Sequence, residues 1–213
     1  MERCCCRSVA RNDLPRHDPS ILFTHTADTA MTGSSPPSPP PSPATASHDD
    51  ANAPLSEEEI IRQVGARTRY YYADGQFSCA EAMIKAFAEV FAPHRVDSRL
   101  ITRLATPFNG GFSELQHTCG VLTAGLMSIG LVTGRDQPGD EEAKEQAYTL
   151  TQIYHRRYMD AVGTDSCREL LQRWKEQGVE KSLCKAHAQR MSELLARTIL
   201  QVGFHDLSTD EEE

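Results

Sequence analysis

The chain has 213 residues, of which roughly the first 55 do not read as folded protein, leaving about 150 for structure, the size of one domain. Nine of its twelve prolines fall at or before Pro54, so the 39% hydrophobic content is concentrated in the remainder, which is enough for one real core. A net charge of -8, with acids ending in the run Asp210, Glu211, Glu212 and Glu213, argues against nonspecific binding to nucleic acid or to anionic lipid.

The amino-terminal triplet Cys4, Cys5 and Cys6 is not followed by the apolar stretch that a secretory signal needs, so no cleaved signal is expected and the reading is cytoplasmic. Met31 reads equally well as a start. The Pro/Ser tract from Pro36 to Pro43 buries nothing and is expected to be disordered, making residues 1–54 an extension, 55–205 the folded domain and 206–213 an acidic tail.

Within the domain, Ser56-Glu57-Glu58-Glu59 has the form of a capping box and opens a helix expected to run to about Ala73 and stop at Asp74-Gly75. Ser78-Cys79-Ala80-Glu81 opens a second, continuing through Met83, Phe87 and Val90 to Pro93. Asp97 opens a short third, ending before Pro107. Phe108-Asn109-Gly110-Gly111-Phe112 is a loop signal. It leads to His117-Thr118-Cys119 and an uncharged run from Cys119 to Thr133, which at 15 residues is too short to span a membrane. With Gly120, Ala124, Gly125, Ser128 and Gly130 inside it, that run reads as a central buried helix. A long amphipathic helix follows from Asp140 to about Ala161, with Tyr154 and Tyr158 on its apolar face. Two more run from Ser166 to about Gln177 and from Ser182 to about Val202. No segment alternates like a strand. The expected fold is all-α, a compact bundle of six to seven helices around the glycine-rich one.

Cys79, Cys119, Cys167 and Cys184 are separated by 40, 48 and 17 residues, which matches neither a thioredoxin motif nor a zinc ribbon, so any shared site must be assembled by the fold. All four fall at expected helix starts. Ser78-Cys79-Ala80-Glu81 and Ser166-Cys167-Arg168-Glu169 each put a cysteine at the first helical position, Thr118-Cys119 repeats the hydroxyl-cysteine order, and Cys184 lies one residue further into its helix. Unused N–H groups and the helix dipole there favour thiolate, as would Arg168 and Lys185 beside their cysteines. Cys79, Cys167 and Cys184 also head the core-facing stripes of their helices, which would bring sulfurs together at one end of the bundle. His187, three residues after Cys184, and His117, two before Cys119, are candidate proton acceptors or metal ligands.

Taken together, Cys79, then Gly110-Gly111 leading into Cys119-Gly120-Val121-Leu122-Thr123-Ala124-Gly125, then Cys167-Arg168-Glu169-Leu170-Leu171, then Cys184 resemble the C_GCAxxG_C_C family of helical four-cysteine proteins, whose redox role is inferred mainly from the cysteines. The resemblance covers most of Tyr71 to Leu200. It implies redox-active cysteines at the four positions, with Gly110, Gly111 and Gly120 leaving space for a cofactor.

Three functions stay open on the sequence. The four cysteines would cycle between thiol and disulfide with an unnamed redox partner, Cys79 with Cys119 and Cys167 with Cys184 being the favoured pairs, although three pairings exist. Alternatively they would hold a metal ion or an iron–sulfur cluster, alone or with His187 and His117. The third reading is a helical interaction module with inert thiols, homodimeric through its glycine-rich helix. Hydrolytic, phosphoryl-transfer and nucleotide-binding motifs are missing from the chain.

Overall fold

The structure, a computed structural model, describes residues 55–73, 76–93, 95–178 and 183–202. The expectations for the amino-terminal extension, the Asp74-Gly75 stop and the acidic tail lie outside the described residues. Seven helices account for most of what is described: α1 Glu57–Ala73, α2 Cys79–Phe91, α3 Ser98–Ala105, α4 Gly120–Thr133, α5 Glu141–Val162, α6 Cys167–Glu176 and α7 Leu183–Val202. Their starts are set by side chains that take up unpaired amide hydrogens. Ser56 Oγ accepts from the Glu59 amide at 3.3 Å, Asp97 Oδ1 from Arg99 at 2.8 Å, Asp140 Oδ1 from Ala143 at 3.0 Å and Ser166 Oγ from Glu169 at 3.3 Å. Among the described residues no strand forms, and one isolated antiparallel bridge joins Thr118 to Ser166.

The uncharged α4 is the middle of the bundle, packed by α2, α5 and α7. Val121, Leu122, Ala124 and Ile129 of α4 are buried against Met83, Ile84 and Phe87 of α2, Leu150, Tyr154 and Tyr158 of α5, and Leu195 and Ile199 of α7. Removing each such large side chain from water is worth about 1.5–3 kcal/mol, so this cluster supplies most of the fold's driving force. Gly125 lets two helices approach: a Cβ there would lie 2.7 Å from the Tyr154 hydroxyl oxygen. α1 lies outside this layer against α7 and α2, through Ile61, Val64 and Ala196. No helix among the described residues is long and apolar enough to cross a membrane.

The Phe108–Phe112 segment, read as a loop, is tighter than that. A single 3-10 turn, Thr106–Phe108, runs into Asn109–Phe112, where Gly110 and Gly111 take φ of +63° and +68°. The left-handed path continues through Phe112, Ser113, Glu114 and Gln116. The Gln116 and His117 amides donate back to the Gly110 and Gly111 carbonyls at 3.1 Å each, which folds the segment onto itself.

Candidate functional site

The four cysteines arrive from four helix starts and line one cavity of about 330 Å³. Two pieces of main chain place them. The bridge between Thr118 and Ser166 is extended by the Cys119 amide donating to Asp165 and the Cys167 amide donating to His117, both at 2.7 Å, so Cys119 and Cys167 each lie one residue from the same bridge. At the other wall, Lys185 donates to the Ala73 carbonyl that ends α1 and so holds the start of α7 beside Tyr72. The cysteines are present as thiols; Cys119 is 6% exposed and the other three are half-buried.

Glycines provide the close approaches. A Cβ on Gly120 would lie 2.7 Å from Cys79 Sγ and 2.7 Å from the Phe108 carbonyl oxygen. One on Gly111 would lie 2.9 Å from Cys167 Cβ, on a backbone already left-handed. Gly110 also lines the cavity and, like Gly111, belongs to the turn that closes it. The space at Gly120 and Gly111 is therefore occupied by the cysteines themselves.

Polar side chains lie beside Cys79, Cys119 and Cys184. The Cys119 thiol lies 3.8 Å from His187 Nε2, which is also 3.1 Å from the Tyr158 hydroxyl, and Cys119 is near enough to Tyr158 to act on its phenol. Tyr72 lies near enough to Cys184 for the thiol to act on its phenol. The Cys79 thiol donates to Asn109 Oδ1 at 3.9 Å, and the same oxygen accepts from the Ala80 amide at 3.0 Å. Trp174 closes the wall behind His187, their ring centroids 5.6 Å apart.

At Cys79 the electrostatics correct the expectation of a thiolate at a helix start. Burial pushes the Cys79 thiol up to about 11; neighbouring Cys119 and Cys184 add to this, while the Gly110 and Ala80 amides pull the other way. Desolvation therefore outweighs the helix-start amides, one of which Asn109 already uses. Of the flanking cations, Lys185 donates to the Ala73 carbonyl and Arg168 to the Leu115 carbonyl at 3.5 Å. Burial, with Arg190 nearby, lowers His187 to about 4, so its imidazole is neutral near pH 7. Burial, with Cys119 beside it, keeps the Tyr158 phenol protonated far above the usual tyrosine range. At Cys79, His187 and Tyr158 burial thus favours the uncharged form.

Two local assignments also change. Cys119 is itself the cap of α4, with φ -55° and ψ 128°, because Thr118 is held in the bridge and cannot serve as cap. His117 is exposed with its ring near Phe112, 6.2 Å between centroids; it joins the site only through its backbone and does not line the cavity, whereas His187 does. Among the described residues no group of three or more His, Cys, Asp or Glu side chains is placed to hold a metal ion.

Tyr72, Tyr158, Asn109 and Trp174 were not singled out by sequence as site residues. Tyr158 sits on the apolar stripe of α5 and Tyr72 ends α1 in a Tyr-Tyr-Tyr run, so both read as packing. Only the three-dimensional neighbourhood shows that both phenols lie beside the cysteines.

The family model described as Putative redox-active protein (C_GCAxxG_C_C) matches residues 77–198. The chain belongs to the C_GCAxxG_C_C family. The match takes in all four cysteines, the Gly110-Gly111 turn and His187, and begins just before α2. Comparison of the chain with curated proteins, and separately with solved structures, gives no match. The C_GCAxxG_C_C region thus holds every cavity-lining residue but Tyr72, which belongs to α1, and the whole of α1 precedes it.

Proposed function

We propose that this C_GCAxxG_C_C protein is a thiol–disulfide redox module acting on a small disulfide that enters the cavity, with Cys119 attacking and Cys79 resolving. The observation that carries the reading is the convergence of four cysteines from four helix starts on one cavity, with a neutral imidazole and two phenols against the sulfurs. Cys119 gives its proton to the His187 lone pair and attacks one sulfur of the substrate. The substrate S–S bond breaks, and the departing thiolate takes that proton. Cys79 then loses its proton and attacks Cys119 in the mixed disulfide, so the second substrate thiolate leaves protonated. Two electrons and two protons pass from the protein dithiol to the substrate, leaving a Cys79–Cys119 disulfide. The raised pKa of Cys79 leaves little thiolate near pH 7, so the second step needs its proton removed as it attacks, although the thiolate once formed is a strong nucleophile. Cys167 and Cys184 complete the cavity as a second dithiol. A reducing compartment such as the cytoplasm fits a protein that must be returned to the thiol form.

The test is to titrate the reduced full chain with a low-molecular-weight disulfide under anaerobic conditions, count thiols and map bonds by mass spectrometry, and measure metal and labile sulfide in the same sample. Loss of two thiols to a Cys79–Cys119 bond, with a mixed disulfide trapped on Cys119 in Cys79→Ser, supports the reading. Stoichiometric metal or sulfide that disappears in Cys119→Ser replaces it with the metal or cluster reading. Four thiols that persist in excess disulfide overturn it.

A further inference from the structure

A second cavity, of about 310 Å³, adjoins the first and shares His187, Trp174 and Leu170 with it. Its remaining polar lining includes Arg173, Arg190 and Gln177. Two guanidinium groups at one hollow are notable on a chain with net charge -8. Arg173 reaches the Val162 carbonyl at 3.3 Å and Glu169 at 3.6 Å, a loose exposed pair that leaves donors over. Arg190 is exposed on α7, one turn beyond His187 and near enough to act on it electrostatically. A guanidinium fork recognises carboxylate with geometric specificity.

We infer that this second cavity is a carboxylate-binding subsite, so that the small disulfide taken by the cysteines is one carrying carboxylate groups, anchored by Arg190 and Arg173 while its sulfur reaches Cys119 past the shared His187 and Trp174 side chains. The inference rests on the thiol–disulfide reading above for the sulfur end and on the arginine cavity for the acid end. Overall the step is the same exchange: the dicarboxylate disulfide gains two electrons and two protons and leaves as two mercapto acids, and the protein dithiol becomes a disulfide.

Trp174, the single tryptophan of the chain, borders both cavities and reports occupancy without any thiol chemistry. The full chain is titrated with 3,3′-thiodipropionate, a thioether that cannot exchange, and with its dimethyl ester, while Trp174 fluorescence is followed. A saturable change with the diacid, at least about tenfold weaker with the ester and about tenfold weaker in Arg190→Gln, is expected for a charge-assisted contact. Arg190→Lys, which keeps the charge and loses the fork, should fall between. Oxidation of the reduced chain by 3,3′-dithiodipropionate against its dimethyl ester is then compared, and the preference for the acid should fall to near one in Arg190→Gln. Equal response to diacid and ester, or a response unchanged by Arg190→Gln, overturns the subsite. Carboxylate-dependent fluorescence without thiol oxidation keeps the subsite and overturns the redox reading instead, so the two failures are distinct.

Discussion

Replacing Gly120 by alanine tests how tightly the cysteine cavity is built. The added Cβ would meet Cys79 Sγ and the Phe108 carbonyl oxygen at 2.7 Å each, about 1 Å inside an ordinary contact. One neighbour is a side chain that can rotate; the other is backbone, one residue before the Asn109 whose side chain accepts from the Ala80 amide. Overpacking of this kind costs about 1–3 kcal/mol. Alanine's helix preference returns at most about 1 kcal/mol, and less at the first residue of a helix, where Gly120 stands. The net is a loss of about 1–2 kcal/mol, or roughly 2–8 °C in Tm for a domain of this size. Gly130 of the same helix is the control. It is exposed and a Cβ there meets nothing within 4 Å, so Gly130→Ala should gain about 0.5–1 kcal/mol. Urea unfolding of the reduced full chain reads both. If Gly120→Ala is as stable as the parent while Gly130→Ala gains as expected, the contact between the start of α4 and Cys79 is not as described.

Alkylation of Cys79 should accelerate with pH up to about 11 rather than levelling near 9; peptide-resolved alkylation rates across pH 7 to 12 check this, and a plateau near 9 counts against the buried thiol. Because its folded pKa lies above the ordinary value of 9.0, the folded state holds the proton longer, so the stability this thiol contributes is complete below about 9 and is lost as pH rises toward 11. His187 has the opposite sign. Its folded pKa of about 4 lies below the ordinary 6.5, so the folded state is protected above 6.5 and loses up to about 3 kcal/mol as pH falls through 4. Urea midpoints at pH 7 and pH 4.5 should therefore converge more for His187→Gln than for the parent, and equal losses would refute the assignment. Tyr158→Phe removes the hydroxyl 3.1 Å from His187 Nε2 and should cost about 1–3 kcal/mol, with a changed rate of Cys119 modification. An unchanged melt and an unchanged rate would show that the hydroxyl does not serve the site.

Much of the fold was legible because its helix starts carry local chemistry. Ser56, Asp97, Asp140 and Ser166 cap the helices they were expected to cap, and the uncharged run after Cys119 is the buried α4. Local chemistry also explains what was missed. Thr118 has the right side chain for a cap but pairs with Ser166, 48 residues away, which hands the cap position to Cys119. The left-handed path through Phe112, Ser113 and Glu114 is imposed by the amide returns onto Gly110 and Gly111, not by residue type. The helix-start argument for thiolates is sound for an exposed cysteine. It fails at Cys79 because burial depends on what packs above the helix, and no residue of α2 states that.

No two of the four cysteines share a helix, and this orders events while the chain is being made. Cys79 and Cys119 emerge during synthesis before α6 and α7 exist, so the thiol that ends 6% exposed begins open to solvent. His187 and Tyr158, its eventual neighbours, are still to come. A disulfide formed at that stage would be made without the walls that later choose which molecules reach the sulfur.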